Sequence, residues 1–195
     1  MPNNVLVLDV TGRPINVTTP FRGAVLLMTN RADLVAQDGD EVLRSSSAEF
    51  PKPLIIQTRG YVKLRPLSDG KIIKRVLFGR DDYECQYCSK PVTTKTGTVD
   101  HVKPKVAFKR EGRPESDANT WDNVVTCCAK CNAKKGEKLP YECGMMPKKA
   151  PKKPTWVQTL WVGKAFHPVQ AEYITQYHPK EIELNQLNIS RPAGS

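Results

Sequence analysis

Long apolar runs are missing from this chain of 195 residues. The first candidate, "VLVLDV" at residues 5–10, stops after six residues at Thr11-Gly12. That is too short for a signal peptide core or for a membrane span of about 20 residues. The expectation is a soluble, cytoplasmic protein with no membrane partner. Histidine is scarce, with three residues in all, so each one asks for a reason. No internal repeat is visible. A disulfide framework is also missing: of the six cysteines, five fall into two tight clusters, which in an intracellular chain points to metal.

An acidic surplus is absent too. The net charge is +10, and such a balance suits a polyanionic partner. The excess is uneven. Residues 1–79 carry a surplus of four positive charges, residues 80–143 of two, and residues 144–195 of four. A nucleic acid would be gripped mainly by the flanks.

Along the chain, "NVLVLDV" reads as a buried strand and "PINVTT" as a second. Phe21, Ala24, Val25 and Met28 recur at helical spacing and predict an amphipathic helix after Thr19-Pro20. In "DLVAQDGDEVLRS" the Asp38-Gly39 pair predicts a hairpin turn, and "PLIIQT" is a further strand. Residues 1–75 are therefore expected to form a small α+β unit with a mixed or antiparallel sheet. A short helix in "IIKRVLF", a strand "GTVDHVKP", a polar loop over 108–120, a strand "NVVTC" and a helix from about Asn132 to Gly136 fill residues 76–146. Residues 147–195 read as a Pro/Lys linker, "PKKAPKKP", then a helical tail that frays over "LNQLNISRPAGS". The linker lysines are either a phosphate-tracking arm, favoured slightly by the net charge, or a soluble spacer. Trp156 and Trp161 are expected in a small core.

Cys85-x-x-Cys88 and Cys128-x-x-Cys131 make two knuckles, 39 residues apart. Each turn sets two sulfurs on one side, and four thiolates satisfy tetrahedral zinc. No histidine stands at ligand spacing, so the structural zinc site is all-cysteine. Cys127 would give a looser gap and is read as a buried strand residue; Cys143 is read as a small apolar residue.

Between the knuckles lie His101, Asn123 and Asn132. Each alone would be a structural histidine, a turn residue or a helix cap. Together, "CQYC…TVDHVKP…TWDNVVTCCAKCNAKKG" resembles the HNH endonuclease family in its four-cysteine, zinc-bound form, over roughly residues 80–140. The N-terminal stretch resembles, more weakly, the region that precedes HNH modules in some bacterial and phage proteins. The resemblance implies an α+β chain with a ββα-metal core over residues 76–146. It implies that His101 is the general base that deprotonates the attacking water. Asp100 and Asn132 would hold a catalytic magnesium or manganese ion, and Asn123 would bond the loop backbone and set the angle of His101. The third position is often histidine in the family; here it is Asn132, an amide oxygen in place of a ring nitrogen.

The chemistry agrees. Histidine has an unperturbed pKa near neutrality, and carboxylate and amide oxygens suit magnesium. Adjacent strand residues point to opposite faces, so the strand must end or distort if Asp100 and His101 serve one phosphate. Lys134 and Lys135 follow Asn132. Lys135 shares its helical face and is either a phosphate contact or a solvated lysine. Lys105 and Arg110 lie in a loop that either touches DNA or is merely mobile. The function expected is a metal-dependent DNA endonuclease acting on duplex DNA, with 5′-phosphate and 3′-hydroxyl products. The rival expectations are a non-catalytic zinc-knuckle binding module and an accessory nuclease subunit of a phage packaging or restriction complex. A homodimer would allow both strands to be cut.

Overall fold

The computed structural model describes residues 4–64 and 71–181. The chain divides into two compact units, Met1–Arg65 with Thr155–Ser195, and Pro66–Pro154.

The first unit is built on β1 (Val5–Leu8), β2 (Pro14–Thr18), α1 (Pro20–Met28), β3 (Ala32–Arg44) and β4 (Glu49–Thr58). The strands form one mixed sheet in the order β2-β1-β4-β3. β1 runs parallel to β4 and antiparallel to β2, and β3 runs antiparallel to β4. β1 is buried at all four positions, as expected of a strand covered on both faces. Val5 and Val7 join Ala32 and Ile56, with Leu26 and Leu27 of α1 against them. Leu6 and Leu8 belong to a second core cluster on the C-terminal helices.

Two local expectations need correction. α1 forms where the periodicity places it, capped by the Thr19 hydroxyl, which accepts from the Arg22 N–H. Its buried side, however, carries Pro20, Gly23 and Ala24. Phe21, Val25 and Met28 are 63%, 55% and 60% exposed. The small residues decide this: a Cβ on Gly23 would lie 3.2 Å from Pro53 Cγ and 3.4 Å from Val5 Cγ2, so the glycine side packs closest to the sheet. The Asp38-Gly39 pair does not make a hairpin turn. It lies in a bulge inside β3, where Gln37 pairs with Pro53 and Val42 with Pro51. Residues 38–41 thus stand opposite Lys52 alone, and Gly39 takes φ 54°. Lys52 Nζ holds the bulge, 2.8 Å from Asp38 and 2.6 Å from Glu41. The chain reverses later, where Ser45 N donates to Ala48 O.

The second unit contains α2 (Lys74–Arg80), β5 (Gly97–His101), α3 (Lys105–Arg110), a 3-10 turn (Glu115–Ala118), β6 (Val124–Cys128), α4 (Ala129–Lys135) and α5 (Pro140–Cys143). β5 and β6 pair antiparallel, from Gly97 against Cys128 to His101 against Val124. The polar stretch 108–120 is not a plain loop. Ala107 and Phe108 are buried, and Phe108 carries Lys103 and Arg113 over its ring. Leu77, Phe78, Trp121, Val124 and Val125 are buried in this unit. Arg80 ties α2 to β6: its guanidinium donates to the carbonyls of Trp121 and Val124, while Asp81 accepts from Thr126 N at 2.6 Å.

The C-terminal helices, α6 (Trp156–Leu160) and α7 (Pro168–Tyr177), belong to the first unit. The boundaries expected at residues 75 and 146 therefore differ from the structural division, and residues 155–181 are no separate tail. Leu6, Leu8, Leu54 and Ile55 form one core with Val157, Trp161, Phe166, Ala171 and Ile174. Trp161 stacks on Phe166 at 4.1 Å, and Trp156 Nε1 donates to Pro14 O. Two histidines find structural places here. His167 caps α7 and lies 3.3 Å from Asp38; His178 meets Gly12 O at 3.0 Å. The stretch expected to fray, 184–195, lies outside the described residues. Among the described residues, no helix is long and apolar enough to cross a membrane.

Candidate active site and metal centre

The sulfurs of Cys85, Cys88, Cys128 and Cys131 all lie within 4.8 Å of one another. A tetrahedron with Zn–S bonds of about 2.3 Å needs sulfurs about 3.8 Å apart, and Cys88 and Cys128 stand at 3.9 Å. The set fits zinc. Its local environment acts on the thiols in opposite directions. Burial pushes the Cys85 thiol up, but the backbone of Cys128, Tyr87 and Cys88 outweighs it and brings the group down to about 7. Burial and the neighbouring sulfurs push Cys131 up to about 12, as expected where like groups crowd one another. The Cys128 sulfur also accepts from Cys131 N and so caps α4. Cys127 lies outside the cluster, buried in β6, where burial pushes its thiol well up. Cys143 sits on α5, its thiol against Leu139 O.

β5 carries the next layer. Thr98 and Asp100 share one face of the strand, and His101 takes the other. α4 covers the first face in two rungs. Asn132 Nδ2 donates to Thr98 Oγ1 at 3.1 Å. One turn on, Lys135 Nζ lies 3.2 Å from Asp100 Oδ2 and donates to His101 O at 2.7 Å. Asp100 Oδ2 also accepts from the Tyr87 hydroxyl at 2.6 Å. Burial and the carboxylate both push the Tyr87 pKa up, so the phenol stays a donor. Asp100 and Asn132 thus both stand between β5 and α4, and carboxylate and amide oxygens are the donor types that suit a magnesium-type ion.

His101 is the last residue of β5. Its Nε2 lies 2.8 Å from Asn119 Oδ1. The segment beyond it is pinned by Asn123. Asn123 Oδ1 accepts from Lys103 N at 2.9 Å, and its Nδ2 donates to Lys103 O and Ala118 O, both at 3.0 Å. Val102 N donates to Asn123 O. One asparagine therefore fastens both sides of the excursion between the strands.

Of the basic residues expected at a nucleic acid, Lys105, Arg110 and Lys134 are exposed. Lys135 is not: it is fully buried, so neither the phosphate contact nor the solvated lysine holds. Its place on the last turn of α4 turns it onto β5. The linker lysines Lys148 and Lys149 pair with Glu84 and Asp82, at 3.1 and 2.7 Å. Tyr87, Asn119 and Thr98 escape the sequence reading. Tyr87 stands between the two ligands of a knuckle, which was the available signal; Asn119 lies in a polar stretch with no periodicity.

Comparison with known proteins agrees with this geometry. The HNH endonuclease family model matches residues 85–138, and the model of the HNH endonuclease-associated N-terminal domain matches residues 5–66. Over 57 residues the chain is 32% identical to the CRISPR-associated endonuclease Cas9 of Corynebacterium diphtheriae, covering 29% of this chain and 5% of that protein. No solved structure matches. With the four-cysteine cluster, the β5–β6–α4 core and the central asparagine all inside the matched segment, residues 85–138 are an HNH endonuclease domain, and residues 5–66, ahead of it, are the N-terminal domain associated with such domains.

Proposed function

We propose that the protein is a divalent-metal-dependent endonuclease that hydrolyses phosphodiester bonds of duplex DNA, leaving 5′-phosphate and 3′-hydroxyl ends. One observation carries the reading: Asp100 and His101, neighbours in sequence, leave the end of β5 on opposite faces. In-line displacement at phosphorus needs the nucleophile on one side and the leaving oxygen on the other. A base and an ion site on opposite sides of one strand end suit that demand.

His101 is the base. With the Asn119 amide oxygen at its Nε2, that nitrogen carries the hydrogen and Nδ1 keeps its lone pair for the water. A residue so placed contributes a rate factor of about 10²–10⁴. Asn123 fixes the backbone at Lys103 and Ala118 and so the direction in which His101 points. Asp100 and Asn132 would hold magnesium or manganese, and such an ion would supply charge neutralisation at the phosphate and at the leaving oxygen. Zinc, held by the four cysteines, does no chemistry; it fixes the start of α4 and with it Asn132. Lys105, Arg110 and Lys134 are exposed and meet backbone phosphates.

End analysis tests the reaction class. DNA cut by the protein with magnesium should be religated by a ligase without prior kinase treatment. Ends that need a kinase, or a 3′-phosphatase, rule out the assigned direction of attack.

A further inference from the structure

Lys135 is among the largest fully buried side chains of the protein. Its Nζ lies 2.7 Å from His101 O, and 3.2 and 3.4 Å from the two oxygens of Asp100. The Asp100 side chain is 7% exposed. Neither charge would be tolerated there without the other. An ion held by Asp100 sets a second cation against a carboxylate that already has one. Both carboxylate oxygens face the lysine, and Oδ2 also accepts from Tyr87. The Lys135 side chain is wholly enclosed.

We infer that Lys135 is the built-in counter-cation of Asp100, and that a divalent ion binds this site only by taking over the charge that Lys135 supplies. The inference rests on the proposed role of Asp100 as an ion ligand. In the absence of the ion, Lys135 keeps the carboxylate paired and the end of β5 fixed through the His101 carbonyl. In its presence the lysine and the ion repel each other. The protein alone therefore holds the ion weakly. This is the reverse of a phosphate-contacting lysine, whose removal would weaken DNA binding and leave the ion untouched.

The test is manganese binding to the full, zinc-loaded chain without DNA, followed by electron paramagnetic resonance of the free ion and by the thermal midpoint. Lys135→Met removes the charge; Lys135→Gln also keeps a donor for the His101 carbonyl. Both should bind manganese at least about tenfold more tightly than the unaltered protein, as expected when a like charge is removed at contact range. Both should also gain more thermal stability from manganese than it does. Asp100→Asn should bind it less tightly. If the lysine variants bind no more tightly while Asp100→Asn still loses affinity, Asp100 is a ligand and the counter-cation inference is overturned. If Asp100→Asn binds manganese as the unaltered protein does, the ligand reading falls and the inference with it. Should the lysine variants not fold, the unaltered protein decides. A buried ammonium gives a protected 1H–15N signal, and the signal of Lys135 should shift with magnesium in step with the Asp100 amide. A signal that stays put while that amide titrates overturns the inference.

Discussion

His101 Nε2 and Asn119 Oδ1 lie 2.8 Å apart, so the imidazole is held by a side chain 18 residues downstream, at the end of the 3-10 turn. This contact selects which ring nitrogen keeps a lone pair. Asn119→Ala frees the ring to rotate and to change tautomer. It should lower the cleavage rate about tenfold or more, a fraction of what a general base contributes, with zinc content and KM for DNA unchanged. A rate within twofold of the unaltered protein would remove Asn119 from the mechanism.

The zinc site makes a selective prediction. Alanine at Cys85, Cys88, Cys128 or Cys131 breaks the cluster, and structural zinc is part of the folding free energy. Each variant should lose stoichiometric zinc and show a lower thermal midpoint, as should the unaltered protein in strong chelator. Cys127→Ser and Cys143→Ser lie outside the cluster and should keep one zinc per chain by metal analysis. Retention of zinc by Cys128→Ala, with loss in Cys127→Ser, would put the second knuckle in the other register.

Tyr87 links the first cysteine knuckle to Asp100. Tyr87→Phe deletes one hydroxyl and leaves Asp100 short of a donor. Loss of a buried partner to a charged group costs about 1–3 kcal/mol, which chemical denaturation should report, with zinc retained. An unchanged denaturation midpoint would mean that the hydroxyl does not support the carboxylate.

Gly97 opens β5 beside Phe78. A Cβ there would fall 2.5 Å from Phe78 Cε2 and 3.1 Å from Thr93 O. Gly97→Ala should therefore destabilise the protein by about 1–3 kcal/mol, the usual cost of overpacking. Adding Phe78→Leu should return part of that loss. If the double variant is less stable than the sum of the two single changes, the ring is not what the new methyl meets.

Much of the fold and the site is legible in the sequence where one signal dominates. The two CxxC turns are legible as a candidate metal site, because each sets two sulfurs on one side and together they give the four thiolates that tetrahedral zinc takes. β1 shows as an unbroken apolar run because both its faces are covered. The expectations that failed are those where a small residue or a tertiary partner decides. Gly23 turns α1 by about one residue from the side that Phe21, Val25 and Met28 suggest. The Asp38-Gly39 pair suits a turn, yet Lys52 across the strand holds it as a bulge. Lys135 looks like a surface lysine beside Lys134, since nothing local reveals that the last turn of α4 leans on Asp100. Residues 155–177 look like a tail because the apolar face they cover, Leu6, Leu8, Leu54 and Ile55, lies about a hundred or more residues earlier.

The most direct measurement is the relaxation of supercoiled plasmid by the zinc-loaded protein across a magnesium and manganese series, beside His101→Ala. Cleavage by the unaltered protein that requires the divalent ion, and falls at least about a hundredfold in His101→Ala with fold and zinc intact, is the predicted result. DNA binding without cleavage by the unaltered protein, or full cleavage by His101→Ala, would contradict it.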